Sequence, residues 1–461
     1  MGKRIGQLIL VFGMLFLLCG CMTQSGEDFY ALPQLPEDYL SLQDKINQVM
    51  NELGAEYAAP SSGSNWQNIQ LHDLDGDADG KRESAVAFFR VANADNPLKI
   101  YIFRQNAITQ EYEVAWMIEG DGTAIYSVAF ENLGGTAAKE VVVSWRISSQ
   151  VQSLVAYSLE AGGAVVELMR SGYTRQAVTD LDRDNEKEVV LVQLDTAENN
   201  SRVELYDYDN GLMVYTLAAP LSLNLTSIKS AKVGTLVDSV PALFVTADYG
   251  DAGGRVTDII AIRDGVLTNL ALDEETGMSG KTRHFYKDFQ DEYGYDINSD
   301  GISELPISQA LPLVGGSAAQ MYLLNWYQFD LDGNAALVCT TYHCYDDGWY
   351  LILPEEWRGK VSVMRRETTV GSSVTERAVS FYYCENWEKE KTEPIEFLTI
   401  YRLSGSNRVF RASIDGRFKL VESTDMIYAA KFRNSDWDCG LDNDELLEQF
   451  NRIKVNWSDN A

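Results

Sequence analysis

Asp75-Gly-Asp-Ala-Asp-Gly-Lys-Arg-Glu83 is the stretch on which the reading of this chain turns. Aspartates alternate with small residues, a glycine follows the third aspartate, and a glutamate closes the run. The form returns as Asp180-Leu-Asp-Arg-Asp-Asn-Glu-Lys-Glu188 and as Asp296-Ile-Asn-Ser-Asp-Gly-Ile-Ser-Glu304. Each copy runs into an apolar, strand-like segment. In the first copy a second register is open, because Asp73-Leu-Asp75-Gly-Asp77 aligns better with Asp180-Leu-Asp182-Arg-Asp184.

Between the acidic stretches the chain is repetitive. Four strand candidates follow Glu83: 85–91, 98–104, 112–119 and 124–130. A worn copy, Glu131 to Glu140, then keeps the closing glutamate and loses most of the aspartates. Closing glutamates recur about every fifty residues, and the gap from Glu188 to Glu304 is about twice that. A decayed copy is therefore expected at Val240-Pro-Ala-Leu-Phe-Val-Thr246, which has the strand without the acids. Repeats of this length with four strands each indicate a β-propeller. After Glu304 only three strands are counted, while the strand at 66–74 has no unit of its own. It is expected to complete the last unit and close the ring, which protects it from an open edge. Five blades over residues 65–345 are favoured, and a ring of six or seven that takes in the C-terminal region is the alternative.

The acids suit a hard cation. Calcium takes about six to eight oxygens in a flexible shell. Alternate side chains of a tight loop can point inward, and a glycine or asparagine at the sixth position permits the positive φ that wraps it. Candidate ligands are Asp180, Asp182, Asp184 and Glu188 in the second loop, and Asp296, Asn298, Asp300 and Glu304 in the third. The first loop offers Asp75, Asp77, Asp79 and Glu83, or Asp73 with Asp75 and Asp77. A structural calcium ion stiffening each joint between adjacent blades is expected. At these loops the chain resembles the FG-GAP/VCBS-type repeats of integrin-like propellers and bacterial surface lipoproteins. That resemblance implies a propeller with calcium in its intact loops, and no particular ligand.

The ends of the chain read differently. Lys3 and Arg4 precede an apolar run too short to span a bilayer, followed by Leu18-Cys19-Gly20-Cys21. The ending resembles the bacterial lipobox, which implies cleavage after residue 20 and acyl chains, palmitate among them, on Cys21. Residues 1–20 are thus read as a signal peptide. Residues 21–64 are read as a tether carrying one amphipathic helix, with Leu40, Ile46, Val49, Met50 and Leu53 at helical spacing and Gly54 as its stop. From residue 346 the pattern changes to strands finished by a helix over 442–453, an expected α+β domain. The Leu353-Pro-Glu-Glu-Trp357 turn with that helix resembles the PsbP-like fold, which implies a binding or accessory module. Cys339, Cys344, Cys384 and Cys439 allow three pairings, with Cys339–Cys344 a possible short closure.

The fold class expected is mainly β, a propeller followed by a smaller α+β domain. Tyr (24) outnumbers Phe (17), which suits half-buried strands. A net charge of -30 argues against nucleic acid as a partner. Three histidines without metal-ligand spacing, and no nucleophile or phosphate-loop motif, leave no catalytic residue to name. The tryptophans are read as packing residues that could alternatively line a sugar surface. The expected function is an extracytoplasmic lipoprotein, held to the membrane by its N-terminal lipid, that binds an extracellular protein or glycan. The alternative is a glycan-active hydrolase or lyase using the propeller channel.

Overall fold

The computed structural model describes residues 37–62, 68–74, 83–106, 108–120, 122–134, 137–250, 254–285, 296–315, 320–370, 373–387 and 393–453. Residues 1–20, read as a signal peptide, and Cys21 lie outside them. Helix α1 (Glu37–Leu53) buries Leu42, Ile46 and Val49 against Ala85, Ala87, Phe89 and Phe103 of the first sheet. It docks on the β-structure as its spacing predicts, except that Leu40 points outward and Leu42 takes its place. Gly54 stops it at φ 60°.

Six antiparallel sheets follow, of four or five strands each, an arrangement consistent with a β-propeller. The first contains β1 (Ala55–Tyr57), β2 (Ile69–His72), β3 (Ser84–Val91), β4 (Leu98–Gln105) and β5 (Tyr112–Gly120). The second contains β6 (Ala124–Glu131), β7 (Glu140–Arg146), β8 (Gln152–Leu159) and β9 (Val165–Tyr173). The third contains β10 (Arg175–Thr179), β11 (Glu188–Gln193), β12 (Arg202–Asp209) and β13 (Leu212–Pro220). The fourth contains β14 (Leu225–Leu236), β15 (Val240–Tyr249), β16 (Gly254–Arg263), β17 (Val266–Asn269) and β18 (His284–Phe285). The fifth is built on β19 (Leu305–Ala310), β20 (Tyr322–Phe329), β21 (Ala335–Cys344) and β22 (Trp349–Leu353). The sixth contains β23 (Val361–Val370), β24 (Ser373–Tyr383), β25 (Ile395–Ser404), β26 (Phe418–Glu422) and β27 (Met426–Phe432), with a one-turn helix α2 (Arg408–Arg411) after β25. Strands are mostly joined by short hairpins. Asn210-Gly211 and Asp264-Gly265 hold φ at 50°, 91°, 53° and 75°, the left-handed pairs that two-residue hairpins require.

The second strand of a sheet reads as a nearly unbroken apolar run because both of its faces are covered. In β11, Val190 and Val192 pack toward the fourth sheet while Val189 and Leu191 pack toward the second. The same alternation gives one shared core for each consecutive pair of sheets, from first-with-second to fifth-with-sixth. Burying a Val or Leu in such a seam is worth about 1.5–3 kcal/mol.

Several expectations are corrected. There are six sheets where five blades were favoured. The segment 66–74 does not complete the fifth unit: Ile69–His72 pairs with β3, and β1 continues along the same edge. The fifth unit takes its extra strand from β22, so a boundary at 345/346 falls between two paired strands. No separate α+β domain is evident, since Leu351 and Trp357 share a core with Val363, Phe381 and Leu398 of the sixth sheet. The last helix, α3 (Asn443–Gln449), starts on a capping box made by Asp442 and Glu445, as read. It ends earlier than expected, because β28 (Phe450–Arg452) turns extended and pairs with Trp349–Leu351. Cys339, Cys344, Cys384 and Cys439 are free thiols. Cys339 and Cys344 lie on one strand at odd separation, so they point to opposite faces and cannot close on each other.

One apolar residue per acidic or worn loop is nearly or fully buried beneath it: Leu74, Leu133, Leu181 and Leu236 plug seams between sheets, and Ile297 packs on Leu324 and Trp326 of the fifth sheet. Leu181→Ala should destabilise the protein by about 2–5 kcal/mol. Leu212→Ala, at a half-exposed position, should cost under about 1 kcal/mol, and denaturant melts of the two variants check the difference.

Candidate metal centres

The second acidic loop is the turn of the β10–β11 hairpin, with Thr179 opposite Glu188. It therefore joins two strands of one sheet, where a covalent joint between adjacent sheets was expected. Its aspartates fold the loop over themselves. Asp180 accepts the N–H groups of Arg183 (2.6 Å) and Asn185 (3.1 Å), Asp182 accepts that of Asp184 (3.1 Å), and Asp184 that of Glu186 (2.7 Å). Arg183 and Asn185 sit at φ 69° and 75°. The third loop repeats the pattern. Asp296 accepts from Asp300 (3.0 Å) and Gly301 (2.8 Å), Asp300 from Ile302 (2.8 Å), and Ser299 and Gly301 sit at φ 63° and 86°. The sixth position was expected to be left-handed; the fourth is as well.

The closing glutamate belongs to the interior. Glu140, Glu188 and Glu304 are 7%, 1% and 0% exposed. Each accepts, through Oε2, the backbone N–H of the plug residue seven positions earlier: Leu133 at 2.8 Å, Leu181 at 2.6 Å and Ile297 at 2.9 Å. The residue just before the glutamate ties its loop to the preceding sheet. Lys139 N–H bonds Leu74 O (2.9 Å), Lys187 N–H bonds Asn132 O (3.1 Å), and Ser303 N–H bonds Thr235 O (2.8 Å). The loops thus join neighbouring sheets through hydrogen bonds.

Asp180, Asp182, Asp184 and Glu188 each bring a carboxylate oxygen within 4.8 Å of the others, and so do Asp296, Asp300 and Glu304. These clusters can bind a metal ion. The fit is tested by Glu188, whose Oε1 is buried and has no hydrogen-bond partner. A buried carboxylate oxygen without a donor costs free energy that a cation removes. Burial, with Asp182, Asp180 and Asp184 nearby, pushes Glu188 up to about 8. Burial likewise raises Asp182, with Asp184, Asp207 and Asp180 adding to the effect.

Asp207 escaped the sequence reading. It lies one step beyond the Val189–Tyr206 pair, across from Glu188. The third loop has Gln328 at that position, one step beyond Leu305–Tyr327. Gln328 Nε2 donates to Asp300 Oδ2 and to Glu304 Oε1, both at 2.7 Å. Asn298 lies inside the same network, donating to Asp300 at 2.8 Å. A tyrosine before each cross-strand residue (Tyr206, Tyr327) at a matching bulge was the available signal.

Asp75, Asp77 and Asp79 lie outside the described residues. Asp73 is half-buried, ahead of the plug residue Leu74. Glu83 is exposed, 3.9 Å from Arg104. The buried hairpin position matching Glu188 belongs to Ser84, which pairs with His72. His72 is a strand-end residue against Phe130. Trp145, Trp326, Trp349 and Trp357 are core residues rather than a sugar-binding surface.

No protein-family model matches the chain, and no curated protein matches its sequence. The FG-GAP/VCBS likeness therefore rests on the loops. Among solved structures, the chain is similar to a protein from Lactobacillus plantarum at 10% identity, covering 73% of this chain and 88% of that one, with a TM-score of 0.28. It is also similar to a periplasmic gluconolactonase of Pseudomonas aeruginosa at 11% identity, covering 74% and 95%, with a TM-score of 0.24. At that level of superposition neither neighbour bears on the site.

The raised Glu188 gives a pH dependence of known sign. Without metal, the folded protein holds a proton on Glu188 that the unfolded chain releases near 4.5, so stability falls as pH rises from there to about 8. Metal-free Glu188→Gln should show a flatter decline across that window in thermal melts at fixed ionic strength. An unchanged slope would place the titration elsewhere.

Proposed function

We propose that this protein is an extracytoplasmic lipoprotein, held to the cell membrane by acyl chains on Cys21. Its acid-looped β-sheets are stiffened by calcium and serve as a binding or accessory module for an extracellular protein or glycan. The observation that carries the calcium reading is the partnerless Oε1 of Glu188 amid three aspartates. The set is all oxygen, with neither thiol nor imidazole, which favours calcium over zinc. Asp180, Asp182, Asp184 and Glu188 would hold the ion, and Asp296, Asn298, Asp300 and Glu304 are the second candidate set. The ion would neutralise clustered carboxylates and lock hairpin turns that bond to the preceding sheet. The basic, apolar and Leu-Cys-Gly-Cys order of residues 3–21 supports the anchor.

Expression with a clickable fatty acid should label the wild-type chain and carry it into the membrane fraction. Cys21→Ser should be unlabelled, and an unlabelled wild type would overturn the anchor. Calcium at about a hundred times its Kd should stabilise the protein by about 2.7 kcal/mol over chelator, read as a rise in Tm. Equal Tm values would overturn the calcium reading. Glycan arrays and cell-surface pull-downs with the Cys21→Ser protein then test for a ligand.

A further inference from the structure

We infer that the residue facing the closing glutamate across the next strand decides whether a loop depends on a cation. Asp207 makes the second loop cation-dependent, and the Gln328 amide stands in for the cation in the third. The inference rests on the calcium reading above and deepens it. The two loops match in length, in left-handed positions and in all but one of their backbone N–H bonds to the acidic side chains, so the difference comes chiefly from side chains. In the third loop the Gln328 NH2 group bridges Asp300 Oδ2 and Glu304 Oε1, two oxygens that an ion would otherwise draw together. Asn298 Nδ2 adds a further donor to the same Asp300 oxygen. That set holds three carboxylates and is supplied with neutral donors from within the chain.

In the second loop the corresponding groups are acids. Asp182 replaces Asn298, and Asp207 replaces Gln328. Asp207 uses Oδ1 on its neighbour's N–H, at 2.7 Å from Tyr208 N, and sends no donor toward Glu188. Glu188 Oε1 is left without a partner at a residue 1% exposed. Among the described residues no cation is ion-paired with the four converging carboxylates or the fifth behind them: Lys187 pairs with Glu131 of the second sheet at 2.6 Å, and the exposed Arg183 makes no ion pair with them. Ligand charge count tunes calcium affinity over orders of magnitude in loops of this kind. The same cross-strand position holds Ser158 behind Glu140, beyond the Val141–Tyr157 pair, where the acids are worn away.

The experiment is a titration of the full chain with calcium ion at pH 7.5, read by calorimetry and by melting with and without chelator. Asp184→Asn, an exposed second-loop ligand, should weaken the tightest binding event at least tenfold and remove most of the calcium-dependent Tm rise. Asp300→Asn should leave both within about twofold. Asp207→Asn should weaken the same event by about tenfold. In an Asp184→Asn background, Gln328→Glu should create a new binding event at least ten times tighter than any in that background, and adding Asp300→Asn should abolish it. Equal losses from Asp184→Asn and Asp300→Asn, or no gain from Gln328→Glu, would overturn the inference while leaving the calcium reading intact. If the wild type neither binds calcium nor melts differently with it, the calcium reading itself fails.

Discussion

A backbone N–H bonded to a buried carboxylate seven residues later is the constraint on which the sheet array depends. At Leu181–Glu188, and again at Leu133–Glu140 and Ile297–Glu304, one bond does two jobs. At Leu181–Glu188 and Leu133–Glu140 it closes the turn between the first two strands of a sheet and sets the leucine side chain into the seam below; Ile297, held in the same way ahead of β19, packs on Leu324 and Trp326 of the fifth sheet. A buried acceptor needs its donor, so the glutamate cannot be met by just any loop conformation. The register of the hairpin and the filling of the seam are therefore set together. The neighbouring N–H then bonds the preceding sheet's loop, and the local closure becomes the spacing between sheets.

The acidity of the chain takes on meaning against that background. A net charge of -30 is distributed unevenly, and part of it is concentrated where the hairpins turn. In the third loop donors from Asn298 and Gln328 absorb the charge. In the second the charge is left concentrated. The two loops carry nearly the same backbone and opposite electrostatic solutions.

Much of the architecture was legible in the chain. Strands of the second to fourth sheets fall where alternating apolar runs and turn residues place them, because each local preference agrees with the tertiary role. The decayed fourth unit was found from spacing alone, and its β15 begins at Val240 as expected. What failed was pairing over distance. Residues 69–72 carry the pattern of a strand, but nothing in that pattern says that β3 rather than the fifth unit is its partner. Trp349–Leu353 was assigned to another domain for the same reason. At the site, Glu83 matched the motif in sequence while the buried position belonged to Ser84, since a loop of different length slips the register by one and turns every side chain over. Asp207 and Gln328 were missed because they reach the site from across a ladder, with only the tyrosine before each to mark them.

The C-terminal strand has a consequence in time. Phe450–Arg452 follows every other described strand in the chain, and it completes the exposed edge of β22. Until those residues emerge, the backbone groups of Trp349–Leu351 on that side have no strand to pair with, and an open edge is where chains stick to one another. The fifth and sixth sheets share their core with Leu446 and Phe450, so this core too is finished only once those residues have emerged. A nascent chain stalled before residue 443 would carry an unsealed sheet. Emergence of residues 446–452, more than collapse of any one sheet, is the event that commits this part of the molecule to its final form.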